Sequence, residues 1–317
     1  MNQRRIKISV CGDKTVIDVV RESLNTDKFE ILNSENIKKA DIIYWIYGKG
    51  PSIRKYFLFW LKKDPIIINH WIGTDVIGEM EKNQLHSRHR IRTFLQDCIV
   101  RWKMHKGGLI NLAAAPWLVD ELSKVHIDAT YLPITTIDTK KLGKVDIQHV
   151  KDIDFFSYVP LRSFDFYGGY KIINLAERWQ EYTFLIICSD QHQIPLDFIE
   201  KMPKNVTVSP RVERSTLLEF FQRSKFFIRY TQHDGISLSV LEALYFNLQV
   251  VWTYDFPYTR KIETQEKLSD SIPSLVKSWH PNYEGHTYVN ENFTIEKWRE
   301  NFLEIIQSKL HQKNQNN

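Results

Sequence analysis

Two carboxylates frame one stretch of the chain, YTQHDGISLSVLEALYFNLQVVWTYDFP from Tyr230 to Pro257: Asp234 stands at the mouth of a short apolar-faced helix and Glu242 sits inside it. The backbone N–H groups of Ile236, Ser237 and Leu238 fall in the first turn, where no intrahelical carbonyl reaches them, and Gly235 would admit a ligand close to the main chain. A helix start of this kind binds phosphate, and carboxylates accept hydrogen bonds from paired sugar hydroxyls. Together they describe a site for diphosphate on a helix end with a sugar on either side, which is a nucleotide sugar. Each acid also has a plainer reading: Glu242 as a solvated helix residue, and Asp234 as an N-terminal charge stabilising the helix dipole by about 0.3–1 kcal/mol. The place of Glu242 in the helix that follows DGIS favours the binding role.

Other side chains stand where chemistry collects in an α/β protein. His70 and Asp75, in NHWIGTD, follow a strand end and are candidate catalytic groups, with a satisfied structural histidine as the alternative. His233 and Arg229 lie beside the same strand end as Asp234 and either line a cleft or cap the loop. Gly12 stands in CGDKT without the G-x-G-x-x-G spacing of dinucleotide binding, which counts against a dehydrogenase. Neither H-x-x-x-H nor a clustered Asp-x-Asp occurs in the right context for a metal. The expectation is therefore metal-free chemistry, in which a helix end and basic side chains carry the charge of a leaving diphosphate.

The elements that must position these groups alternate along the chain. IKISVCG, KFEILN, ADIIYWIYG and PIIINHW read as strands, and LINLAAAPWLVDELSKVHIDATYLP continues with strand, turn, helix and strand. Several are apolar at consecutive positions, as parallel strands covered on both faces are. After the charged linker DTKKLGKVDIQHVKDID the pattern restarts: DFFSYV, TFLIICSD, VTVSP, FFIRYT and LQVVWTY are strands with helices between them. The reading is α/β, two doubly wound Rossmann-like domains with an interdomain cleft: 1–140, 141–290, and a C-terminal helix and tail over 291–317. Ligands of such sheets bind beyond the carboxyl ends of the strands.

At 317 residues the chain has room for two such domains. No stretch approaches the ~18 uninterrupted apolar residues of a membrane span, and no export signal is visible at MNQRRIKISVCGD. Three cysteines, Cys11, Cys98 and Cys188, without C-x-x-C spacing, suggest reduced thiols. These features point to a cytoplasmic protein. The net charge of +5 concentrates in Arg54–Lys63, interleaved with Tyr56, Phe57, Phe59 and Trp60, and in Arg88–Lys106. Such a surface suits an anionic membrane or a polyanionic ligand, giving a peripheral place at the inner membrane face, or it is a solvated basic face over a buried aromatic one. No nucleic-acid partner is indicated.

HDGISLSVLEALYFNLQVV resembles the donor-binding motif of GT-B glycosyltransferases of family 4 type, in which an acid, seven residues and a Glu precede an Ala-rich helix and a G-x-P-V-V strand. YVPLRSFDFYGGYKIINLAERWQEYTFLIICSD is similar to the opening strand, phosphate loop and helix of their nucleotide domain, and IINHWIGTDV and INLAAAPWLVDEL to late parts of their acceptor domain. The resemblance implies that Asp234 contacts the transferred sugar and Glu242 the ribose. It also implies that Arg162, with backbone contacts at Gly168 and Gly169, serves the diphosphate. The implied activity is retaining, metal-independent transfer from a nucleotide diphosphate sugar, without another cofactor, to a glycan or lipid-linked acceptor. Departures are the shorter Asp234, Asn247 where Gly is common, and Arg162 as the one well-placed cation after DFFSYV. They keep open a catalytically silent GT-B protein that binds a glycan or a partner, and a nucleotide-sugar epimerase is a further alternative.

Overall fold

The structure, a computed structural model, describes residues 4–12, 14–32, 37, 39–47, 65–84, 108–134 and 136–315. The basic aromatic segments at Arg54–Lys63 and Arg88–Lys106, and Cys98, lie outside them. The chain divides into two compact α/β units, one comprising Met1–Thr136, Asp234–Ile236 and Ile295–Asn317, the other Ile137–His233 and Ser237–Thr294.

In the first unit β1 (Ile6–Gly12), β2 (Phe29–Leu32), β3 (Ile42–Ile46), β4 (Ile66–Trp71), β5 (Leu109–Ala113) and β6 (Thr130–Tyr131) form a sheet in the order β2-β1-β3-β4-β5-β6. Every pairing is parallel. All residues of β4 and β5 are buried, which is why IIINHW and LINLA carry no polar alternation. Among the described residues, three helices belong with these strands: α1 (Lys14–Leu24), α2 (Thr74–Gln84) and α3 (Pro116–Lys124). The last opens on a proline, whose fixed φ suits a first turn and whose missing N–H costs nothing there.

The second unit begins with the short α4 (Thr139–Leu142), capped by the Asp138 carboxylate, which accepts from the amides of Lys140 and Lys141. There follow β7 (Ile153–Val159), α5 (Gly169–Arg178), β8 (Phe184–Cys188), α6 (Leu196–Ile199), β9 (Val206–Ser209), α7 (Arg214–Arg223), β10 (Ser224–Arg229), α8 (Leu238–Tyr245), β11 (Gln249–Trp252), β12 (Thr259–Lys261), α9 (Gln265–Lys277) and α10 (Tyr283–Asn292). Its sheet runs β12-β11-β10-β7-β8-β9, all parallel, the strand order of the Rossmann fold. The direction of winding reverses between β7 and β10, and the crevice beyond the carboxyl ends at such a reversal is where open sheets bind ligands.

Aromatic packing holds β7 in place on both faces. Phe155 stacks on Phe184 at 4.8 Å and on Phe226 at 5.1 Å, its register partners on β8 and β10. Phe156, on the opposite face, meets Phe221 of α7 edge-on at 5.0 Å. Each such pair contributes about 0.5–1.5 kcal/mol beyond burial, so the carboxyl end of β7 is a firm platform.

The chain ends in α11 (Ile295–Gln315), which belongs to the first unit. Trp298 stacks on Phe302, Phe302 lies 5.7 Å from Tyr44, and Arg299 Nε–H donates to the Ser23 carbonyl at 2.8 Å. The helix continues through residues 311–315, well into the span 291–317 that the sequence divides between a helix and a tail. The reason is local: no Gly or Pro interrupts it, and Gln and Lys are good helix formers. No helix among the described residues is long and apolar enough to cross a membrane.

Candidate functional site

In the second unit the groups capable of chemistry gather at the carboxyl ends of β7 and β10. The loops after the two strands are tied together where the Gln232 amide donates to the Phe166 carbonyl at 2.9 Å. Glu242 lies on α8 with its neighbours from Ser239 to Tyr245, all buried, and is itself 3% exposed. Its carboxylate is gripped by Arg214, the first residue of α7: Nη1–H donates to Oε2 at 3.1 Å and Nη2–H to Oε1 at 2.5 Å. Burial pushes the Glu242 pKa up, and the guanidinium opposes that shift.

Further cations stand at the same edge. Arg229, which closes β10, donates to the Tyr158 carbonyl at 3.1 Å, and its guanidinium lies 4.6 Å over the Tyr167 ring. Lys171 places its Nζ 4.0 Å over the Tyr230 ring. Aromatic faces attract such cations and restrict where they go. Burial raises the pKa of the Tyr158 hydroxyl, which lies in the field of Arg211, Glu242 and Arg214.

Arg162, the cation expected to serve the diphosphate, follows β7 in a short turn over Leu161–Ser163. Its side chain is 81% exposed, with Nε 3.9 Å from Asp190, a separation at which a surface pair contributes little. The amides that follow β7 are also engaged: Leu161 N–H donates to Asp190 Oδ1 at 2.6 Å and Arg162 N–H to Oδ2 at 3.1 Å. Gly168 and Gly169 likewise serve the protein's own packing. Gly168 sits at φ 72°, where a Cβ would fall 2.2 Å from the Tyr230 carbonyl oxygen; on Gly169 it would fall 2.3 Å from the Phe164 ring.

At the start of α8, Ser237 is extended and makes no side-chain cap; its hydroxyl pairs with that of Ser239 at 2.8 Å, and Leu238 is 40% exposed. The first amides bonded back into the helix are those of Val240 and Leu241, both to the Ser237 carbonyl. At the far end Asn247 takes the left-handed conformation (φ 61°), with its amide on the Leu244 carbonyl and that of Leu248 on Ala243. This is a Schellman ending in which Asn replaces Gly. His233 is buried and its carbonyl accepts from the Thr231 hydroxyl at 3.0 Å.

Asp234, Gly235 and Ile236 count with the first unit. The Trp117 indole N–H donates to the Asp234 carbonyl at 2.8 Å. A Cβ on Gly235 would stand 2.4 Å from the Ile72 carbonyl oxygen, so on that side the chain itself approaches the glycine closely. Asp75 braces the segment that Gly235 meets: its carboxylate accepts from the amides of Gly73 at 2.8 Å and Ile72 at 3.1 Å. It is buried, which raises its pKa against the pull of those amides.

His70 is fully buried, and both ring nitrogens are engaged. Nε2–H donates to the Leu132 carbonyl at 2.8 Å, and because a carbonyl only accepts, Nδ1 is left as the acceptor for the Tyr44 hydroxyl at 2.5 Å. Both ring nitrogens of His70 are thus taken up in hydrogen bonds within the protein, and the Asp75 carboxylate accepts from the backbone amides beside it. Burial lowers the His70 pKa from 6.5 to about 3. The unfolded chain therefore binds a proton that the folded one refuses, and stability falls as pH drops below 6.5 towards 3, by about 1.4 kcal/mol per pH unit. In urea unfolding across this range His70→Gln should lose that part of the slope; an unchanged slope would remove His70 as its source.

Arg214, Tyr158 and Asp190 were not singled out from the sequence. The available signal was position: all three follow or close strands of the second sheet, at the edge where its ligands bind. Among the described residues no group of three or more His, Cys, Asp or Glu could hold a metal ion.

No protein-family profile and no curated protein matches the sequence. Among solved structures, the chain is similar to a sucrose-phosphate synthase from Thermosynechococcus elongatus, with TM-score 0.69 and 10% identity over 97% of this chain and 100% of that one. It is similar to a glycosyltransferase from Rickettsia africae, with TM-score 0.65 and 10% identity over 97% and 99%. A third is the pneumococcal O-GlcNAc transferase GtfA in complex with UDP and GlcNAc, with TM-score 0.55 and 13% identity over 85% of this chain and 57% of that one. At these identities the likeness is one of fold, and it agrees with the two parallel-sheet units described above: the chain has the GT-B fold.

Proposed function

We propose that this protein is a glycosyltransferase that moves a sugar from a nucleotide diphosphate sugar to a glycan or lipid-linked acceptor, with retention of configuration and without a metal ion. The bond between the anomeric carbon and the diphosphate oxygen breaks, a bond to an acceptor hydroxyl oxygen forms, and the hydroxyl proton and the nucleoside diphosphate leave. One observation carries the reading: where the second sheet reverses its winding, a buried acid on α8 is paired with an arginine, and Arg229 closes the neighbouring strand. Glu242 accepts from the ribose hydroxyls, the start of α8 and the cations hold the diphosphate, and Asp234 accepts from the transferred sugar. The leaving charge is then met by fixed dipoles and guanidinium groups, the work a metal performs in other transferases.

Thermal unfolding with UDP, GDP, ADP and dTDP and their sugars tests this. A ligand at a hundred times its Kd stabilises by about 2.7 kcal/mol, and EDTA should leave both that shift and turnover unchanged. No response to any of them would overturn the proposal in favour of a silent GT-B binding protein.

A further inference from the structure

We propose that Arg214 is the positioning residue for Glu242, holding the buried carboxylate in the one orientation that lets it tell ribose from 2′-deoxyribose. This rests on the assignment of Glu242 to the ribose in the reading above. An ionised carboxylate has about four lone-pair sites, and the fork of Arg214 takes one on each oxygen. The lone pairs that remain, one on each oxygen, point away from the fork to opposite sides, so the grip of Arg214 fixes the direction in which the carboxylate can accept from a ribose hydroxyl. Without the fork, the buried charge on α8 loses its guanidinium partner and the two bonds that fix the plane of its carboxylate. The exposures of the two side chains, 4% for Glu242 and 47% for Arg214, place the acid behind and the arginine towards solvent. A pair serving stability alone gains little from burial, because desolvation offsets the Coulombic attraction. A pair serving geometry needs the acid buried and fixed, as here. Lysine cannot reproduce the fork, since its ammonium is a point charge without a planar pair of donors.

The test is calorimetric titration of the full chain with UDP, GDP and ADP, each against its 2′-deoxy form, for the unchanged protein, Arg214→Met and Arg214→Lys. The unchanged protein should prefer the ribose form of its best nucleotide by roughly tenfold or more, the size of one charge-assisted hydrogen bond. Arg214→Met should bring that ratio close to one, and Arg214→Lys should restore only part of it. A ratio that survives in Arg214→Met overturns the proposal, as does tighter binding by that variant, which would make Arg214 a plug over the acid. Equal binding of ribose and deoxyribose forms by the unchanged protein also overturns it. Failure of the unchanged protein to bind any of the six would instead remove the nucleotide-sugar reading on which it stands.

Discussion

Glu242→Gln is expected to weaken free nucleoside diphosphate and nucleotide sugar alike, by roughly tenfold or more, whereas Asp234→Ala should weaken the nucleotide sugar and spare the free nucleotide. The reason is which part of the ligand each acid meets. Ribose is present in both ligands, while the transferred sugar is present in only one. A hydrogen bond to a charged group is worth about 1.5–3 kcal/mol, which corresponds to roughly tenfold or more in Kd. Gln keeps the volume of Glu and one accepting oxygen, so the buried site on α8 need not collapse. The arginine left behind is about half exposed and turns to water, so the penalty of about 3–5 kcal/mol for stranding a buried charge does not apply. Calorimetry on both variants with both ligands separates the roles. Equal loss of free nucleotide in the two variants would refute the division of labour, and loss in neither would return α8 to an ordinary packed helix.

The fold was legible where burial erases alternation. Strands such as IIINHW and FLIIC are buried at every position because parallel strands are covered on both faces, and that leaves an unbroken apolar run in the sequence. The reach of α8 was legible as well, because the acid before it, the acid within it and its Asn stop are local features. What could not be read locally was partnership. Arg214 and Glu242 are 28 residues apart and meet only because β9 and β10 both end at one edge of the sheet. The tautomer of His70 is set by Leu132, 62 residues away. Three elements also hid for reasons of composition. β12 has only three residues, α9 contains Pro273, and α10, YEGHTYVNEN, lacks an apolar stripe. Their stability comes from neighbours: Asn282 caps α10 through the Gly285 amide and donates to the carbonyls of Leu248 and Tyr258.

The glycines show the same division between what a residue type suggests and what its surroundings require, and they yield the second large effect. Gly168→Ala should destabilise the protein by about 2–5 kcal/mol, adding the left-handed penalty of an L-residue to that of an overfilled contact. The conformation is φ 72°, and the new methyl would lie 2.2 Å from the Tyr230 carbonyl oxygen and 2.7 Å from the Tyr230 Cβ. The obstacle includes backbone, so no rotamer change relieves it. Gly78, in α2, meets nothing within 4 Å and has no positive φ, so Gly78→Ala should act in the opposite sense, stabilising by about 0.5–1 kcal/mol through helix propensity. Thermal unfolding of the two variants reads the contrast directly, at roughly 2–4 °C per kcal/mol for units of this size. Because the loop after β7 and the start of β10's loop move together if Tyr230 yields, Gly168→Ala should also loosen Lys171 and Arg229 at the sheet edge. A variant as stable as the unchanged protein would mean that this loop deforms freely, and the close approach of Gly168 to Tyr230 would lose its claim to hold the two loops in register.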